Sequence, residues 1–111
     1  MWDELYADFN ARDIDALLAR MTPDVDWPNG WEGGREHGPE AVRAYWERQF
    51  REIDPHVEPV GVDERPDGTM AVAVHQVIRS PAGEVLADRH VRHVYTLRDG
   101  LIARMDIEED G

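Results

Sequence analysis

The stretch RHVRHVYTLRDGLIARM, residues 89–105, decides the fold. It reads as two β-strands joined by a tight turn at Asp99–Gly100, the dipeptide type that two-residue hairpins require. Side chains of a strand alternate between faces. Arg89, Val91, His93, Tyr95 and Leu97 therefore share one face, and His90, Arg92, Val94 and Thr96 share the other. Beyond the turn, Ala103, Met105 and Ile107 lie opposite Ile102, Arg104, Asp106 and Glu108. Upstream, HVEPVGVDE (56–64), TMAVAVHQVIRS (69–80) and EVLADRHVRHVYTLR (84–98) repeat the strand pattern, separated by RPDG and SPAG. With LIARMDIEE (101–109) they predict an antiparallel meander of four strands.

The N-terminal half has a different texture. Trp2, Leu5, Tyr6 and Phe9 fall at helical spacing. Asp13 is placed to cap a second helix whose stripe is Ile14, Leu17, Leu18 and Met21. Prolines and glycines in TPDVDWPNGWEGG (22–34) then break helix, leaving room for a short strand around Asp24–Trp27 and a loop. A third helix starts at Gly38–Pro39, with the stripe Val42, Tyr45, Trp46, Gln49, Phe50 and Ile53. Helices first and a meander afterwards predict one α+β domain over 1–111, with three helices packed on one face of a curved antiparallel sheet. Neither face of the strands at 69–80 and 84–98 is wholly polar. If helices cover one face, a second copy of the chain is expected on the other, as a homodimer.

Composition narrows the functions. Twelve basic residues face twenty-four acidic ones, for a formal net charge of -12, a field that repels nucleic acid and anionic membranes. The chain has no cysteine, which excludes disulfides and thiolate chemistry. No stretch approaches the ~20 apolar residues of a membrane span. MWDELYADF lacks the basic start and apolar run of a signal peptide, so a cytoplasmic protein is expected. The five histidines show no helical metal-ligand spacing, and His90 and His93 point to opposite faces. GWEGG (30–34) lacks the strand and helix of a nucleotide loop. Neither a metal nor a cofactor is expected.

The whole pattern resembles the nuclear transport factor 2-like superfamily, in its SnoaL-like and ketosteroid-isomerase-like branch. FNARDIDALLARMTPDVDW (9–27), the helix after GPEAVRAYW (38–46) and the terminal HVYTLRDGLIARM (93–105) carry the likeness. The resemblance implies a cystatin-like cone whose sheet wraps helices around a pocket for a small apolar molecule. The isomerase's general base falls on Trp27, with Asp26 one residue before it. Its oxyanion tyrosine falls near Leu5, with Tyr6 one residue along, and its protonated aspartate falls on His93. The two carboxylates of the epoxide-hydrolase branch fall near His93 and Ile107. For a cyclase-type acid/base carboxylate, Asp106 is the nearest match, on the face opposite Met105 and Ile107.

Within that expectation His93 is the central polar group. An imidazole can donate, accept or shuttle a proton near neutral pH. Arg89, Tyr95 and Gln76 share its face, among Val72, Val74, Val91 and Met105, and Ile107 continues the set. This is the mixture of apolar wall and sparse polar groups that binds small molecules. Trp27, Trp31 and Trp46 are read as an aromatic lining, with the hydroxyls of Tyr6 and Tyr45 within reach of it. Asp26 is the second catalytic candidate, as a base. Two readings stand: a cofactor-free acid/base enzyme of the isomerase or cyclase type, and a binding or dimerisation domain without chemistry. A carboxylate across the pocket from His93 would favour the first.

Overall fold

The computed structural model describes residues 1–109. The turns organise the sheet. At Asp99 and Gly100 the backbone has φ of 54° and 80°, the left-handed pair that twists two strands into register. The RPDG and SPAG turns each close with a glycine amide bonded back to the first residue's carbonyl, Gly68 to Arg65 and Gly83 to Ser80, both at 2.9 Å. Proline ahead of a left-handed glycine suits this geometry.

The elements run α1 (Trp2–Asn10), α2 (Ile14–Leu18), β1 (Met21–Pro28), β2 (Arg35–His37), α3 (Pro39–Glu52), β3 (Asp54–Glu64), β4 (Met70–Arg79), β5 (Val85–Arg98) and β6 (Leu101–Glu109). They form one six-stranded sheet in the order β2-β1-β6-β5-β4-β3. β3 to β6 make the antiparallel meander read from the sequence, and β1 adds to β6 in parallel. The α+β class and the three helices stand as expected. Two boundaries change. Met21 opens β1 rather than closing α2, because the helix stops after five residues at Leu18. Residues 35–37, expected to be loop, pair with β1 as an extra edge strand.

One core joins the helices to the inner face of the sheet. Leu5 and Tyr6 of α1, Leu17 of α2, and Val42, Tyr45 and Trp46 of α3 pack into a cluster with Val25, Val72, Val74, Val91 and Ile102. Ile102 was expected to face away from Met105. It is fully buried, because Ala103 is an extra residue: Thr96 pairs with Arg104 but Leu97 with Ile102. This bulge reverses the facing of everything before it on β6. Asp106 lies beyond the bulge and keeps its outward facing, with Arg35 and Arg104 as its partners.

The outer edge of β3 is closed by a side chain. Asn10, the last residue of α1, donates from Nδ2 to the Val57 carbonyl at 2.8 Å and accepts from the Val57 amide at 3.0 Å. Its amide mimics a neighbouring strand for one residue and ties α1 to the sheet. Asn10→Ala removes both bonds and leaves two backbone groups of Val57 unpaired. Stability is expected to fall by about 1–3 kcal/mol, seen as a lower urea midpoint at unchanged slope. An unchanged midpoint would show that α1 is held by apolar packing alone.

Candidate functional site

The register of β4, β5 and β6 builds the site from rows of facing residues. Val72 pairs with His93, and His93 with Ile107. Gln76 pairs with Arg89, and Tyr95 with Met105. Of these, Gln76, Arg89, His93, Tyr95, Met105 and Ile107 line one side of a cavity of about 90 Å³. That is several times the ~10–15 Å³ one water needs. Helices α1 and α3, strand β1 and the β1–β2 loop line the rest, through Tyr6, Phe9, Tyr45, Trp46, Trp27 and Trp31. Trp27 and Trp46 meet edge to face at 5.3 Å, and Trp27 lies 6.3 Å from Tyr95. Such tilted contacts suit aromatic rings and leave flat apolar walls.

The cavity has a buried floor and an exposed rim. At the floor, Tyr6, His93 and Tyr95 are 3%, 7% and 1% exposed. At the rim, Trp31 and Ile107 are 42% and 38% exposed, and Arg89 is half-exposed. β5 runs from one to the other, carrying Arg89 at the rim and His93 four residues deeper.

The floor is a chain of three polar groups. The Tyr6 hydroxyl lies 2.8 Å from His93 Nδ1 and 2.8 Å from the Tyr95 hydroxyl. Burial pushes both tyrosines well above their ordinary pKa, so both hydroxyls keep their protons. Burial also pushes His93 down to about 4, so its imidazole is neutral at pH 7. A neutral imidazole carries one N–H. If it sits on Nε2, Tyr95 donates to Tyr6, Tyr6 donates to Nδ1, and the one proton left over is Nε2–H. If it sits on Nδ1, every bond reverses and the Tyr95 hydroxyl loses its acceptor. An unmade buried bond costs about 1–3 kcal/mol. Either tautomer leaves one proton over; with Nε2–H it lies on His93, 7% exposed, rather than on Tyr95, 1% exposed, so that arrangement is favoured, and Nε2 makes no hydrogen bond among the described residues.

Most of the residues proposed from sequence meet here. His93, Trp27, Trp46, Tyr45 and Tyr95 line the cavity, as do Gln76, Arg89, Met105 and Ile107. Val72, Val74 and Val91 do not; they are fully buried beneath it in the core. Asp26 lies outside as well. It faces the outer side of the sheet, where Arg35 donates to it at 2.5 Å, Arg104 lies at 2.8 Å and His37 at 3.6 Å. The hydrogen bond from Arg35 holds its carboxyl below the usual range. A carboxylate so held is a poor base, and its proline-rich strand keeps the alternation that puts Trp27 inside. No carboxylate lines the cavity among the described residues. No group of three or more histidines and carboxylates is placed to hold a metal ion among them.

Tyr6 was read as a packing residue of the α1 stripe whose hydroxyl reaches the pocket. It is that and also the hub of the floor. The signal was its phenol tip, which a buried stripe position must satisfy.

The comparisons with known proteins fit this geometry. Residues 2–105 match the SnoaL-like domain family. The chain belongs to that family. The solved structure of TerC co-crystallised with polyporic acid is 28% identical, with a TM-score of 0.81 over 96% of this chain and 85% of that one. An NTF2-like protein of unknown function from Burkholderia pseudomallei is 24% identical, with a TM-score of 0.82 over 96% and 86%. A putative polyketide cyclase from Sinorhizobium meliloti is 24% identical, with a TM-score of 0.78 over 93% and 88%. The last two show the fold alone. No curated protein matches the sequence.

Two outcomes check the floor. Tyr6→Phe strands His93 Nδ1 and the Tyr95 hydroxyl, and stability is expected to fall by about 2–4 kcal/mol in urea denaturation. An unchanged midpoint would mean that water replaces the hydroxyl. The pH dependence has a fixed sign. The unfolded histidine takes a proton near pH 6.5 and the folded one only near 4. His93 therefore supports the fold fully above pH 6.5, and this is lost as pH falls towards 4. Between pH 7 and pH 5 the wild type is expected to lose about 2 kcal/mol more than His93→Phe. Parallel losses would place the His93 pKa near its ordinary value.

Proposed function

We propose that this chain binds a small, largely apolar, ring-containing molecule in the cavity and hydrogen-bonds a carbonyl-type acceptor of it through His93 Nε2–H. The observation that carries this is the chain Tyr95–Tyr6–His93, whose one proton without a partner belongs to a neutral imidazole on the floor of an aromatic cavity. A neutral imidazole donates a hydrogen bond without giving up its proton, which suits polarising a carbonyl. It is a weak base. With its pKa at about 4, protonation at pH 7 costs about 4 kcal/mol. A proton-abstracting enzyme needs a better base, and no carboxylate lines the cavity among the described residues. Binding is therefore the leading function, and acid/base catalysis of the isomerase or cyclase type is the second reading, with His93 as its only candidate. The crystal complex of TerC with polyporic acid supports an organic ligand in this family.

The outer face of the sheet carries charged pairs, Arg92 with Glu108 and Arg104 with Asp26 across strands, and Arg104 with Asp106 along β6. A homodimer through that face remains part of the proposal. Light scattering at micromolar concentration is expected to give twice the 12.7 kDa of one chain; a single-chain mass would remove it.

Calorimetric titration with 2-acetylnaphthalene and its isosteric alkene, 2-isopropenylnaphthalene, tests the binding. The ketone is expected to bind about five- to tenfold more tightly, the worth of one neutral hydrogen bond. His93→Phe is expected to erase the difference while the alkene still binds. Equal affinities in the wild type would sink the proposed donor. Deuterium exchange at the ketone's methyl group, followed by NMR, separates the two readings. Acceleration that vanishes in His93→Phe would make this an enzyme; none is expected.

A further inference from the structure

The rim holds polar groups that the floor does not use. Arg89 and Gln76 face each other across β4 and β5. Arg89 Nε donates to Gln76 Oε1 at 3.0 Å. That bond fixes two things. It turns the guanidinium fork along the rim, and it spends the oxygen of the Gln76 amide, leaving the amide nitrogen to point elsewhere. Arg89 Nη1 lies 3.5 Å from Glu109, an exposed carboxylate beyond good hydrogen-bond length. Neither Arg89 Nη2 nor Gln76 Nε2 has a partner among the described residues. Arg89 Nη2 and Gln76 Nε2 therefore stand together at the mouth of the cavity without a hydrogen-bond partner among the described residues.

Charge sharpens the point. The chain carries a net charge of -12, yet its cavity is lined by one arginine and, among the described residues, by no aspartate or glutamate. A site for a cationic ligand would place carboxylates here. A site for a neutral ligand gains nothing from a guanidinium held in position by an amide. An acidic protein repels anions in general, so a site that admits one needs a local cation with its fork presented.

We infer that the ligand of this cavity is an organic anion, whose carboxylate or comparable acidic group is held at the rim by Arg89 Nη2 and Gln76 Nε2 while its apolar body lies against the tryptophans. The inference rests on the binding reading above and adds the ligand's charge and shape. Arg89 and His93 are four residues apart on β5, about 13 Å along an extended strand. The ligand is accordingly elongated, with its acidic group at one end and its acceptor at the other. A single ring carrying both groups side by side does not reach.

The test uses one body in three forms: 2-acetylnaphthalene, 6-acetyl-2-naphthoate and the primary amide of that acid, titrated calorimetrically at pH 7 in low salt. The acid is expected to bind about tenfold more tightly than the amide, as a charge-assisted contact should. The advantage is expected to shrink in 0.5 M salt. Arg89→Gln is expected to bring acid and amide within twofold of each other. Arg89 is half-exposed, so the variant should fold. Gln76→Glu supplies a second arm: it pairs the guanidinium internally and is expected to abolish the preference while every charge of Arg89 is retained. Equal binding of acid and amide by the wild type, or a preference that survives Arg89→Gln, would overturn the inference and leave the cavity reading intact. Failure of all three compounds, the ketone included, would overturn the cavity reading and the inference together.

Discussion

A single phenol oxygen holds the inside of this molecule together. Tyr6 arrives on α1, and its hydroxyl joins His93 and Tyr95, both from β5 and separated from it by almost the whole chain. Three polar groups at the bottom of an apolar cavity are costly unless each is paired. The cheapest complete pairing makes Tyr6 both donor and acceptor, and this one requirement sets several others. α1 must lie close enough for the contact, which the Asn10 clip to Val57 assists. β5 must present His93 and Tyr95 to the same side, which its alternation does. In the proposed arrangement the histidine keeps its proton on the far nitrogen.

A chain of 111 residues has little core to give away. The cavity is affordable because its wall is aromatic. Trp2 stacks near Tyr95 at 4.7 Å, and Phe9 meets both Trp46 and Phe50 edge to face. Large rings bury much area per residue and keep their shape when one side is left uncovered. Below them the valines Val72, Val74 and Val91 close the sheet completely. The site is thus a layer laid over a sealed core, which is why those three valines do not touch the cavity although they share the face that does.

That distinction explains what the sequence could and could not tell. Alternation along β4, β5 and β6 assigned Gln76, Arg89, His93, Tyr95 and Met105 to one face, because period two is a local property of the strand. Depth along that face is not local: whether a position meets cavity or core depends on which helix residue stands above it. The valines were over-assigned for this reason. Ile102 was misplaced because one extra residue, Ala103, changes parity with no mark in its side chain. The edge strand at 35–37 is too short for any periodicity and exists through its pairing with β1. Tyr6 was legible as buried but not as a hub, since its partners lie 87 and 89 residues away.

The two faces of the sheet divide the chemistry of the chain between them. Asp26, Arg35, Arg104 and Asp106 gather on the outside, where each carboxylate has a guanidinium partner. Inside, the floor is neutral, with an imidazole that burial keeps uncharged and two phenols that burial keeps protonated. In low dielectric an unpaired charge beside His93 would cost more than the cavity could recover. Among the described residues that cost is avoided: the one lining cation, Arg89, stands at the rim within reach of water, and no carboxylate lines the wall. On the proposed reading, a site built this way orients and polarises a bound molecule better than it removes a proton from it. The same burial that makes His93 a dependable donor makes it a reluctant base, so the physical chemistry of the floor favours recognition over turnover.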